Sequence, residues 1–251
     1  MKNQFVGDIG DYGKYGLFRF LSNNGFKIGV NWYLTRDDEV VTDGNIRGYL
    51  NDEEEGIYDR EVFDALRGLK RRDILLVEKN GIIPSAIFYS ELLSTGSSSV
   101  NERKTIRDAW FKKSTDELID TDLIFADPDN GSIGDEAAMR KSGEKYVSLG
   151  ELKQYYDLGK DVVYYCHKAR RKPDKWQQKK LELTEPCPDV KVIVLTFRRG
   201  PQRSYIFGIH PENYERYNTA ITSFLQTNWG TVSVGGKNIP FFRETLQAEY
   251  M

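Results

Sequence analysis

The chain is predicted to be an α/β protein with a doubly wound, mostly parallel sheet that closes on a terminal antiparallel hairpin, a Rossmann-like architecture. Three observations predict it. Short apolar runs of strand length alternate with segments of helical periodicity along most of the 251 residues. Leu123, Ile124, Phe125 and Ala126 form an unbroken apolar run, as expected of a strand buried on both faces. Two late strands, 190–197 and 204–209, are joined only by Arg198-Arg199-Gly200-Pro201-Gln202-Arg203. A parallel crossover needs about a dozen residues or more, so these two strands must pair antiparallel.

Phe5 and then Gly7, Asp8, Gly10, Asp11, Gly13, Lys14 and Gly16 open the chain. So many glycines argue against an early helix and let the backbone approach a neighbour closely. Asp8, Asp11 and Lys14 recur at intervals of three, which places them on one face if the segment coils. Leu17, Phe18, Phe20 and Leu21 then read as a helix stopped by Asn23-Asn24-Gly25. Residues 26–34 form the first strand candidate, followed by an acidic loop with Asp37, Asp38, Glu39, Thr42 and Asp43. Val62, Phe63, Leu66 and Leu69 have helical spacing. Asp73-Ile-Leu-Leu-Val-Glu78 reads as a second buried strand ending in an acid, while Phe88 and Tyr89 suit either a short strand or a helix.

A Ser/Gly-rich loop at 94–99 precedes a helix over 101–119, which delivers the chain to the strand at 123–126. Pro128 cannot donate to a ladder, so that strand stops at Asp127 and sets Asp127, Asp129 and Asn130 just beyond its carboxyl end. In open α/β sheets this edge is where ligands bind, although Asp-Pro-Asp-Asn-Gly is also simple turn chemistry. Ser148 caps a helix to residue 158, and 162–167 is a further strand. It ends in His167, Lys168, Arg170 and Arg171 beside Trp176, a basic cluster suited to phosphate contacts or, equally, to a solvated helix entry. Helices follow over 175–183 and 213–226, and a glycine-broken pair of extended pieces runs from Trp229 to Phe242.

With 36 Lys+Arg against 38 Asp+Glu, a globally cationic nucleic-acid coat is excluded but a local basic groove is not. No stretch approaches the roughly 20 apolar residues of a bilayer span, and the first residues lack a secretory apolar run. Cys166 and Cys187 are far apart in different settings, which fits a reducing compartment, and two histidines argue against a His/Cys zinc site. Neither a dinucleotide G-x-G-x-x-G nor a P-loop is present. The expectation is one cytoplasmic α/β domain over 1–251, with a glycine-rich amino-terminal segment and helix at 1–25 and a helix with a small appendage at 211–251. No membrane partner is expected, and the oligomeric state is open.

The order of elements, with its antiparallel late pair, resembles the class I S-adenosylmethionine-dependent methyltransferases. In their base-directed amino-methyltransferases the fourth strand ends in [DNS]-P-P-[YFW]. Asp127 and Pro128 match; Asp129 and Asn130 stand where the second proline and the stacking aromatic would be. Gly7, Asp11 and Lys14 match the G-N-H-A-D-x-x-K-H opening of the bacterial ribosomal-RNA adenine methyltransferases of the J type, without its two histidines and without a glycine-rich motif after the first strand. The chain also resembles a widespread group of uncharacterised bacterial proteins opening N-Q-[YF]-x-G-D-x-x-D-Y-x-K-Y-G with a central D-P-D-N-G.

The resemblance implies methylation of an amino group on a nucleic-acid base. Asp127, the Pro128 carbonyl, Asp129, Asn130 and Lys14 are then the catalytic candidates, with Asp127 and Pro128 accepting from the amine. Gly7, Asp8, Asp11, Asp37 and Glu78 are candidates for S-adenosylmethionine, with Glu78 on the ribose. Lys168, Arg170, Arg171 and Trp176 are candidates for nucleic acid. A second reading gathers Asp8, Asp11, Asp127 and Asp129 on Mg²⁺ for hydrolysis, with Lys14 or Lys145 stabilising phosphoryl charge. A third keeps the scaffold as a non-catalytic binding module, indifferent to Asp127→Ala. The methyltransferase and Mg²⁺ readings need Asp11 and Asp127 to share one crevice.

Overall fold

The computed structural model describes residues 1–39, 44–96, 99–168, 170–232 and 241–247. Thr42 and Asp43 of the acidic loop, part of the Ser/Gly-rich loop and 233–240 of the expected extended tail lie outside the described residues. Helix α1 (Ile9–Asn23) leads to β1 (Ile28–Asn31), α2 (Arg60–Arg67), α3 (Ile74–Lys79) and β2 (Ile87–Tyr89). Then come α4 (Val100–Glu117), β3 (Leu123–Ala126), β4 (Ser132–Ile133), α5 (Asp135–Ala138), β5 (Val147–Ser148), α6 (Leu149–Asp157) and β6 (Asp161–His167). The chain ends with α7 (Pro173–Leu181), β7 (Lys191–Phe197), β8 (Arg203–Ile209), α8 (Tyr214–Gln226), α9 (Asn228–Thr231) and β9 (Phe242–Gln247).

Seven strands form one mixed sheet in the order β2-β1-β3-β6-β8-β7-β9, and β4 and β5 form a small separate parallel ribbon. Strands β2, β1, β3 and β6 are mutually parallel; β8 runs antiparallel to β6 and β7, so β7 rejoins the parallel set. The architecture is α/β and generally Rossmann-like. The antiparallel pair is not the last feature of the sheet, because β9 adds an antiparallel edge beyond β7.

Strand alternation divides the core into two layers. Leu123 and Phe125 face α1, α2, α3 and α8, while Ile124 and Ala126 face α4, α6 and α7. All four are essentially inaccessible, which is why this strand reads as a continuous apolar run. The same alternation sends Asp127 toward the α1 side.

Three expectations are corrected. Residues 74–79 are a helix, capped by the Asp73 carboxylate accepting from Leu75 N at 3.0 Å, and the second strand is β2 instead. An apolar run of four residues fits either element, and the cap is the deciding signal. The glycines near the start do not prevent a helix: Gly10, Gly13 and Gly16 lie inside α1. A methyl at Gly13 would sit 2.4 Å from Phe197 Cε2, and one at Gly16 would sit 2.3 Å from Trp229 Cζ2. Packing of α1 against β7 and α9 thus offsets a propensity cost of about 1 kcal/mol per glycine. The expected extended tail begins instead as the short helix α9, with Trp229 buried.

Candidate functional site

Helix α1 and strand β3 build the site together. Phe18 stacks on Phe125 with ring centroids 4.0 Å apart. Four residues back along a helix cover about 6 Å, and two residues forward along a strand cover about 6.6 Å. Lys14 therefore meets Asp127, its Nζ donating to Oδ2 at 2.7 Å. The same ammonium lies 2.6 Å from Asp11 Oδ1, one helical turn earlier. The crevice expected between Asp11 and Asp127 exists, and Lys14 bridges the two carboxylates rather than forming a surface pair.

The first turn of α1 fixes Asp11. Asp8 is the N-cap and accepts from Asp11 N at 2.9 Å, while Asp11 Oδ2 accepts from Gly7 N at 3.0 Å and from the Tyr15 hydroxyl at 3.1 Å. Burial pushes the Asp11 carboxyl up to about 6; Lys14 pulls it down, and the charges of Asp8 and Asp127 push it further up. Burial alone would lower the Lys14 ammonium, but Asp11 and Asp127 outweigh it and raise it above the ordinary lysine range. An acid titrating near neutrality beside a fixed cation is a recurrent property of functional sites.

A polar cleft of about 640 Å³ opens above this group, at the carboxyl ends of β3 and β6. Asp8, Asp11, Lys14, Asp127, Pro128, Asp129 and Asn130 all line it. Lys145, expected to stabilise phosphoryl charge, lines it too, as do Arg203, Tyr165 and Asp38, which were not among the residues expected to meet the cofactor, base or phosphate. Arg203 heads a buried apolar strand, which was a legible oddity. Its guanidinium occupies space that any side chain at Gly10 would fill, and its Nη1 is 3.7 Å from Asp8 Oδ1.

Other expected residues go elsewhere. Asp37 accepts from Gln4 N at 3.1 Å and does not line the cleft. Glu78 ends a helix rather than a strand, and its carboxylate accepts from the Trp32 indole at 2.8 Å. Trp176 sits on α7, 5% exposed in the core, and lines the same cleft as Lys168. Arg170 is exposed, and Arg171 donates to the His167 carbonyl at 2.7 Å, closing the end of β6. Lys168 faces a second cleft.

After β1, where the resembled family has its glycine-rich motif, the chain carries Trp32 and Tyr33, both fully buried. Tyr33 holds φ +44, its N–H donating to Asn31 Oδ1 at 3.1 Å and its hydroxyl to Glu151 at 3.2 Å. The Tyr33 and Asp127 carbonyls accept from the Met1 ammonium at 3.1 and 2.8 Å, and Asp129 Oδ1 lies 2.9 Å from it. These residues do not form a cradle for S-adenosylmethionine. Among the described residues no group of three His, Cys, Asp or Glu side chains could hold a metal ion. Cations already pair with the four carboxylates of the Mg²⁺ reading: Lys14 with Asp11 and Asp127, the Met1 ammonium with Asp129, and Arg203, at 3.7 Å, with Asp8. Cys166 and Cys187 are both free and buried, and no helix among the described residues is long and apolar enough to cross a membrane.

No family model matches the chain, and no curated protein matches it. Among solved structures it is similar to the crystal structure of protein LPL1258 from Legionella pneumophila str. Philadelphia 1, of family-model DUF519, with 12% identity, a TM-score of 0.48 and 98% of each chain covered.

Proposed function

We propose that this chain is a methyltransferase-like protein that binds an amino group carried by a nucleic-acid base, with Asp127 as the acceptor. One observation carries the reading: the Asp127 carboxylate lines the cleft and, among the described residues, only its Oδ2 is taken, by Lys14, so that Oδ1 is left for a donor. An exocyclic amine presents two N–H groups, and Asp127 Oδ1 with the adjacent Pro128 carbonyl supplies two acceptors. Lys14 has the positioning role, since it fixes the carboxylate rotamer through Oδ2 while Asp11 fixes Lys14. Because the residues after β1 are bulky and buried, the reading stops at recognition of the amine and includes no transfer step.

The test compares single-stranded oligonucleotides carrying adenine or cytosine with the same strands carrying purine or 2-pyrimidinone, which lack the amine. Fluorescence anisotropy is expected to show about tenfold or greater discrimination for one amino base, as expected when a buried acceptor is left unpaired. Asp127→Ala is expected to abolish the discrimination while the fold survives, because Lys14 keeps Asp11. Equal affinity for both members of each pair would remove the reading. Saturable binding of S-adenosylmethionine at millimolar concentration would favour methyl transfer over recognition alone.

A further inference from the structure

Among the described residues, the other strongly buried cations have oxygen partners. Lys14 has Asp11 and Asp127, Lys2 has Asp38, Arg107 has Glu151, Arg203 has Asp8, and Arg103 donates to the Met139 carbonyl. Lys180 is different. It is only 2% exposed and makes no hydrogen bond or ion pair among the described residues. Its side chain lines a second cleft of about 450 Å³, on the α7 side of the sheet, together with Lys168, Arg243, Thr196, Gln177 and Gln202. No acidic residue is among the described residues that line it.

The backbone explains the convergence. Lys168 follows the carboxyl end of β6, and its N–H donates to the Gln202 carbonyl at 3.3 Å at the start of β8. Thr196 is registered against Arg243 on one side and Ser204 on the other, which sets Arg243 at the same rim. Lys180 comes up from α7 above Trp176. Burial, and then the charges of Arg243 and Lys168, lower the Lys180 ammonium below the ordinary lysine range. Holding three like charges around a cavity without a counter-charge is costly, and an anion in the cavity would reverse the sign of the interaction.

We propose that this second cleft is a binding site for a phosphoryl group, held by Lys168, Lys180 and Arg243 with hydrogen bonds from the Gln177 and Gln202 amides. Free phosphorylated molecules and the phosphodiester backbone of a polynucleotide share this chemistry. The site does not rest on the reading of Asp127, since phosphate contacts are indifferent to the base.

The test uses the full chain, inorganic pyrophosphate and a fluorescein-labelled single-stranded oligonucleotide. Lys180→Met removes the buried charge and is expected to leave the free protein at least as stable as the wild type in urea. It is also expected to abolish the rise in melting temperature that pyrophosphate gives the wild type. Lys175→Met removes a charge from the same helix outside the cleft and is expected to keep that rise. If the backbone of a polynucleotide is the occupant, Lys180→Met weakens the oligonucleotide about tenfold and lowers the slope of log affinity against log salt by about one. If pyrophosphate stabilises and the oligonucleotide is unaffected, the site belongs to a small phosphorylated ligand. Absence of pyrophosphate stabilisation in the wild type, or its persistence in Lys180→Met, overturns the proposal, and neither result bears on base recognition at Asp127.

Discussion

Replacing Lys14 by Met tests whether the bridge between α1 and β3 is an electrostatic device or merely a packing contact. The substitution keeps the length of the side chain but strands two carboxylates, Asp11 and Asp127, that are 4% exposed each. Removing one partner of a buried ion pair costs about 3–5 kcal/mol. That loss should depend on pH, with a sign fixed by Asp11. Its carboxyl already stands near 6 in the folded chain against 3.8 for a free side chain. A raised carboxyl means the native state binds a proton that the unfolded chain has released, so its stabilising contribution is present at low pH and is lost as pH rises through the folded value. Two pH units at about 1.4 kcal/mol each give a loss of about 3 kcal/mol for the wild type between about pH 4 and pH 6. Without Lys14 the window moves upward. The deficit of Lys14→Met relative to wild type should therefore be small at pH 5 and complete at pH 8. Urea unfolding followed by tryptophan emission and far-UV circular dichroism at both pH values measures it. Lys14→Met combined with Asp11→Asn should recover part of the deficit at pH 8. A deficit of equal size at both pH values, or none, would refute the electrostatic account.

Other perturbations follow from the same geometry. Gly13→Ala gains about 1 kcal/mol of helix propensity but drives a methyl into Phe197, whose ring is fully buried, and overpacking of this kind costs about 1–3 kcal/mol or more. A net fall in urea midpoint is expected, whereas Gly25→Ala meets no atom within 4 Å and should cost only the strain of its φ of +82, about 1–2 kcal/mol. Arg107 donates to Glu151 at 2.7 and 2.8 Å and to the carbonyls of Gly143 and Tyr146. Arg107→Met should destabilise by about 3–5 kcal/mol, and adding Glu151→Gln should restore part of it in the same unfolding assay.

The parallel core was legible because its strands are buried on both faces: Leu123 to Ala126 and Val162 to Cys166 are apolar runs that no amphipathic helix would carry. The antiparallel pairing of β7 and β8 was legible from the length of their connection. The helix at 74–79 was not, since Ile74, Leu75, Leu76 and Val77 fit either period and only the Asp73 cap separates them. The glycine-rich helix was hidden for a different reason. Its local propensity is poor, and the contacts that overrule it lie at Phe197, Arg203 and Trp229, more than 180 positions away in sequence. Asp127, Asp11 and Lys14 could be found by spacing and by their place at a strand end. Lys180 could not, because one lysine in a helix carries no mark of lacking a partner until its neighbours are known.

The pairing of β6 with β8 has a consequence for both clefts. His167 is registered against Arg203, and the two line the cleft over Asp127; the next step along, Lys168 with Gln202, lines the cleft over Trp176. Consecutive residues thus serve opposite faces, and a slip of one residue would exchange every assignment at once. The two sites are geared together by a single ladder, so sequence drift can retune either one by substitution but cannot shift the frame of one without dismantling the other.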